Sequence, residues 1–109
     1  MAGLDGNNIA EVTFDLAEAD GNGLRVRITG ELDITNVDAL ESAVGSALAR
    51  HPGRLILDLS GLRFADSSAI ALWVRWSTAV HEIELRDVSP ILRRVIDSMG
   101  LADTLNVKP

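Results

Sequence analysis

The chain has 109 residues, 47% of them hydrophobic, no cysteine and a net charge of −6 at neutral pH. That length suits one domain with one core, and the acidity excludes nucleic acid as a direct partner, because phosphate binding needs clustered Lys and Arg. Without cysteine there is no disulfide, thiolate chemistry or cysteine zinc site, and His51 and His81 lie in different elements without a ligand partner at fixed spacing, so no metal or other cofactor is expected.

Residues 1–9 are rich in Gly and Asn and read as a mobile segment ahead of a single domain over 10–107. They carry neither the basic start nor the apolar stretch of a signal peptide, and no later apolar run could span a bilayer. A cytoplasmic protein without membrane insertion is therefore expected. Residues 12–16 alternate loosely and suggest a strand. Asp20-Gly21-Asn22-Gly23 is a turn, and 24–29 alternate cleanly, so the pair reads as a hairpin. Thr35 is placed to cap a helix with Asp38 in its first turn and Leu40, Val44 and Leu48 at helical spacing, ended by His51-Pro52-Gly53.

Leu55, Leu57 and Leu59 share one face of the next strand, and Ile56 adds an apolar residue to the other, which suits a central position in a sheet. A short Gly-containing loop, 60–65, leads to a helix opened by Asp66-Ser67-Ser68. Ile70, Trp73, Val74 and Val80 form its main apolar face. Trp73 and Trp76 are three apart, so only one is expected to be fully buried; Trp76, off the core stripe, is the candidate to face a partner. Residues 81–86 alternate as a short strand. Ser89-Pro90 then starts a helix with Ile91, Leu92, Val95 and Met99 as its apolar stripe and Gly100 at its end. The order β-β-α-β-α-β-α predicts an α/β fold, with a mixed four- to five-stranded sheet and helices packed mainly on one face.

Asp66-Ser67-Ser68 sets a carboxylate and two hydroxyls at a helix N-terminus, where free N–H groups and the positive dipole end converge. Local chemistry leaves both a helix cap and a phosphorylation site open there. An enzyme reading fares worse. Asp66, Ser67 and His81 could be drawn as a triad, but no G-x-S-x-G elbow is present. Gly61 is not followed by the Lys of a phosphate loop, and the chain's one lysine is Lys108.

Four segments, taken in order, resemble the STAS domain and in particular a free-standing anti-anti-sigma factor, or anti-sigma factor antagonist. They are Thr29-Gly30-Glu31-Leu32-Asp33, Leu55-Ile56-Leu57-Asp58-Leu59-Ser60, Phe64-Ala65-Asp66-Ser67-Ser68, and Asp87-Val88-Ser89-Pro90 followed by Leu92-Arg93-Arg94-Val95 and Gly100-Leu101. The resemblance implies a bacterial transcription regulator of stress responses in which Ser67 is phosphorylated by a cognate anti-sigma factor that is also a serine kinase. Unphosphorylated, such a protein binds the anti-sigma factor and frees the sigma factor; a PP2C-type phosphatase restores it. The implied docking surface comprises Glu31, Asp33, Asp66, Ser67, Ser68 and Ala69. Ala69 stands where the family usually has Gly, and the C-terminal helix is cut to Ala102-Asp103-Thr104-Leu105. The alternative is a non-switching STAS scaffold in a stressosome-like complex, or an accessory subunit of a membrane ABC transporter.

Overall fold

A computed structural model describes residues 11–109; the expected mobile segment at 1–9 and the domain start at residue 10 lie outside the described residues. The elements are β1 (Val12–Ala19), β2 (Gly23–Leu32), α1 (Val37–Leu48), β3 (Arg54–Ala65), α2 (Ser67–Ala79), β4 (Glu82–Arg86), α3 (Pro90–Ser98) and α4 (Ala102–Leu105). The four strands lie side by side in chain order, β1 antiparallel to β2 and the rest parallel. After α4 the tail runs beside β4, with Val107 bridging Leu85 in parallel. The α/β architecture with a mixed sheet is thus as expected.

Alternation decides which face is covered. Val26, Ile28, Leu55, Leu57, Leu59, Ile83 and Leu85 are all buried in one cluster with the apolar sides of the helices. The opposite face carries Asp15, Arg27, Asp58 and Arg86, paired one against the next across all four strands. Charges of alternating sign at neighbouring register positions favour this alignment, and a two-residue slip of β4 against β3 would set Glu84 opposite Asp58. Next to this row Glu84 is buried, its carboxylate accepting from Arg54 at 2.7 Å and from Arg86. Burial by itself would raise the pKa of Glu84, but the two guanidinium groups outweigh it and hold the group below its ordinary 4.5.

Several elements depart from the sequence expectation. The strand β3 runs through 60–65, which the Gly-containing pattern suggested as a loop. Two register shifts against β2, between Arg27 and Thr29 and between Gly30 and Glu31, absorb the extra residues and bend this end of the sheet. Glycine is required at both bends. A Cβ at Gly61 would lie 2.6 Å from the Thr29 methyl, while Gly30, at φ +96°, would bring one to 2.3 Å from the Glu11 carbonyl oxygen. Helix α1 starts after Asn36, not at Thr35, whose N–H and hydroxyl both donate to Asp33 instead. Ser89 does cap α3, accepting from the Leu92 N–H, and Gly100 has the left-handed φ of +73° that ends it. The buried side of α3 is Leu92 and Ile96, however, leaving Ile91, Val95 and Met99 exposed.

Both tryptophans are buried, which corrects the expectation that Trp76 faces a partner: it is 3% exposed. Helix α2 touches β3 and β4 beneath it, α1 on one flank and α4 on the other. A helix covered on three sides buries far more than one stripe, so Leu72 and Trp76 are enclosed beside Trp73. Ala69 is also buried, its methyl in the core cluster, so its side chain is not part of the surface expected to meet a partner.

Trp76→Ala should cost about 3–5 kcal/mol in a denaturant melt, the usual penalty for emptying a buried aromatic site. Glu84 supplies a second expectation. Its lowered pKa contributes stability above the unfolded-state value, and this is lost as pH falls through the folded value. Melts from about pH 6 down to about pH 3 should show Glu84→Gln less stable than wild type at the top of the range, with the gap closing on acidification.

Candidate functional site

Asp66 sits at the C-terminal end of the parallel strands, where α/β sheets tend to present their binding residues. Its N–H donates to the Leu32 carbonyl at 3.2 Å, clamping the end of β3 to the end of β2. With extended backbone angles it forms the N-cap of α2, and its Oδ1 accepts from the N–H groups of Ser68 at 2.9 Å and Ala69 at 3.3 Å. The other oxygen, Oδ2, accepts from the Ile34 N–H in the β2–α1 loop at 3.3 Å. One carboxylate therefore ties two chain segments that are far apart in sequence. Burial pushes its pKa up, but the Ser68 hydroxyl and the backbone donors of Ala69, Ser68 and Ile34 prevail and lower it, so Asp66 is ionised at neutral pH.

The two serines have different surroundings. Ser68 is half-buried and its hydroxyl donates to Asp66 Oδ1 at 2.5 Å. Ser67, the first residue of α2, is exposed, and its hydroxyl makes no hydrogen bond among the described residues. The helix end behind Ser67 is already occupied, because Asp66 holds the next two N–H groups. An added anion at Ser67 would meet the positive dipole end but also a fixed negative charge beside it.

The β2–α1 loop is built from side-chain to backbone bonds. Asn36 accepts from the Asp33 N–H at 3.0 Å and donates to the Glu31 carbonyl at 2.9 Å, while Asp33 Oδ1 accepts from Thr35. Asp33 thus spends one oxygen on its own loop. The Glu31 carboxylate stands 3.4 Å from Arg63 with both groups well exposed, a weak pair in water. Glu31, Asp33, Asp66, Ser67 and Ser68 belong to one corner of the molecule, the loop joined to the α2 start through Asp66. Trp76 and the Ala69 side chain are in the core.

Two large apolar residues flank this corner without having been singled out. Ile34 is 70% exposed and Phe64 is 53% exposed. Ile34 could have been noticed, since it interrupts a polar loop between Asp33 and Thr35. Phe64 pairs with Glu31 in the sheet. Only the second register shift aims it at solvent, and no local pattern reveals that.

A family profile described as "Mlab, STAS domain" matches residues 16–107. Among curated proteins, the anti-sigma-F factor antagonist RsfB of Mycobacterium tuberculosis is 33% identical over 93 residues, covering 82% of this chain and 76% of RsfB. Among solved structures, an anti-sigma factor antagonist from Mycobacterium paratuberculosis superposes with a TM-score of 0.82 at 26% identity, covering 91% of this chain and 86% of that one. The Bacillus cell fate determinant SpoIIAA in its phosphorylated form superposes at 0.70 with 22% identity, covering 89% and 92%, a likeness of fold.

The geometry separates Asp66 from Ser67 in a melt. Asp66→Ala removes the cap and should cost about 0.5–2 kcal/mol, with faster amide exchange at Ile34, Ser68 and Ala69. Ser67→Ala removes a hydroxyl without a partner and should stay within about 0.5 kcal/mol of wild type.

Proposed function

The chain belongs to the STAS-domain family, and on that premise we propose that it is an anti-sigma factor antagonist switched off by phosphorylation of Ser67. In this reading it works by binding rather than by catalysis. The unphosphorylated form docks on an anti-sigma factor that is also a serine kinase, and the sigma factor held by that protein is released. Phosphorylation of Ser67 ends the contact, and a PP2C-type phosphatase restores it in the cytoplasm of a bacterial cell. The docking surface comprises Glu31, Asp33, Asp66, Ser67 and Ser68.

The observation that carries this reading is the exposed, unbonded hydroxyl of Ser67 beside the ionised carboxylate of Asp66. A hydroxyl with no role in the fold can be modified without unfolding the protein. Phosphorylation adds about −1.5 to −2 charges at pH 7, on a chain already at −6. Asp66 occupies the N–H groups that could otherwise absorb the phosphate. The new charge therefore stays at the surface, where a partner shaped for a neutral hydroxyl meets a bulky anion that is costly to desolvate.

The test uses a candidate cognate anti-sigma factor that carries a serine kinase domain. Incubated with it and ATP, the wild type should gain the mass of one phosphoryl group, and Ser67→Ala none. The phosphorylated protein should keep its circular dichroism and lose its partner. Ser67→Ala should bind and resist switching, while Ser67→Asp binds more weakly than wild type but less weakly than the phosphoprotein, since a carboxylate is smaller and carries less charge. Equal affinity for wild type, phosphoprotein and Ser67→Asp would refute the switch and leave the scaffold reading in its place.

A further inference from the structure

Next to the Ser67 corner, the end of β3 and the start of α3 enclose a groove of about 470 Å³ lined by Leu62, Phe64, Ala65, Pro90, Ile91 and Val95. Its outer wall is unusual for a surface helix. Leu92 and Ile96 face the core, and Ile91, Val95 and Met99 follow one another at single-turn spacing along the solvent side, Ile91 being 76% exposed. Exposed apolar residues in such a row, continuous with Phe64, mark a contact surface more than a solvated one. Ala65 is two residues from Ser67, so the groove and the switch are parts of one continuous surface.

We propose that this groove receives the apolar face of an amphipathic helix of the anti-sigma factor and anchors that partner independently of Ser67. The proposal rests on the antagonist reading above and adds a second foothold to it. Row spacing of one helical turn on α3 suits the ridges of another helix. Strand addition at the near edge is closed, because Val107 bridges Leu85 and the Lys108 N–H donates to the Leu85 carbonyl. Charge at the groove favours an acidic occupant. Arg63, which lines it, has only the weak pair with Glu31, and Arg94, exposed on α3 between Ile91 and Val95 in sequence, has no ion pair among the described residues. An acidic residue beside the apolar stripe of the incoming helix would complement them.

A second copy of this chain fits less well. A two-fold contact would set the cationic rim against itself, and four partly exposed side chains fall short of the ~800 Å² that a stable interface takes from each partner. A partner already docked at Ser67 has no such shortfall, since the groove only enlarges its contact.

The kinase reaction reads this directly. With the full chain as substrate of the same anti-sigma kinase, Ile91→Glu and Val95→Glu should raise KM roughly tenfold or more while leaving kcat unchanged, because they remove binding and not the phosphorylated group. Both residues are exposed, so their melts should match the wild type. Arg94→Glu should raise KM less, and its effect should shrink at high salt. Unchanged KM in both apolar variants, with wild-type phosphorylation intact, overturns the groove and leaves the switch standing. A wild type that is neither bound nor phosphorylated overturns both. Sedimentation that finds the wild type dimeric and Ile91→Glu monomeric assigns the groove to a second copy and also overturns the proposal.

Discussion

The corner around Ser67 depends on one carboxylate held between two segments. Asp66 closes the β2–β3 ladder through its N–H, caps α2 through Oδ1 and holds the β2–α1 loop through Oδ2. Each of these bonds is modest, worth about 0.5–1.5 kcal/mol net, more where the acceptor is charged. Their arrangement matters more than their sum. Because the loop and the helix start share one acceptor, the acidic loop residues and the Ser67 hydroxyl have a fixed relation to each other. The same sharing keeps the Asp66 charge ionised and next to the serine. An interface that reads the presence or absence of charge needs such a fixed background.

The regular parts of this fold were legible in the residues. The period-two patterns of 24–29 and 55–59 gave correct inner faces, the Asp20–Gly23 turn made the hairpin, and Ser89-Pro90 opened α3 with its expected cap. A helix start at Asp66-Ser67-Ser68 was visible too, since such caps follow from local hydrogen bonding, but only the structure gives the cap to Asp66 and makes Ser67 the first helical residue. Long-range arrangement was less visible. Burial of Trp76 depends on α1 and α4 closing over α2 from both sides, which no heptad count on α2 can show. The continuation of β3 through Gly61 depends on β2 offering a partner with matching bulges. On α3 the apolar residues outnumber the buried ones, so composition pointed to a stripe that geometry split into two.

The face without helices has its own logic. A sheet with one bare side needs a surface that water tolerates and that still favours a single register. The row Asp15, Arg27, Asp58, Arg86 does both, with alternating charges that are mutually attractive across each strand pair. Glu84 goes further and places a carboxylate out of water between two guanidinium groups. Such an arrangement is costly to break by removing one partner, and adds little over a well-packed apolar substitute. Its effect is to make alignment of β4 against β3 unforgiving.

The bridge between Leu85 and Val107 makes the two edges of the sheet unequal. Beyond β4 the tail takes both backbone groups of Leu85, while β1 pairs only with β2 among the described residues. A protein with two open edges can add copies head to tail without limit, the geometry of a filament. With the tail seated on Leu85, a strand from another copy cannot pair there without first displacing it. A few residues after the last helix thus act as a stopper on one side of the sheet.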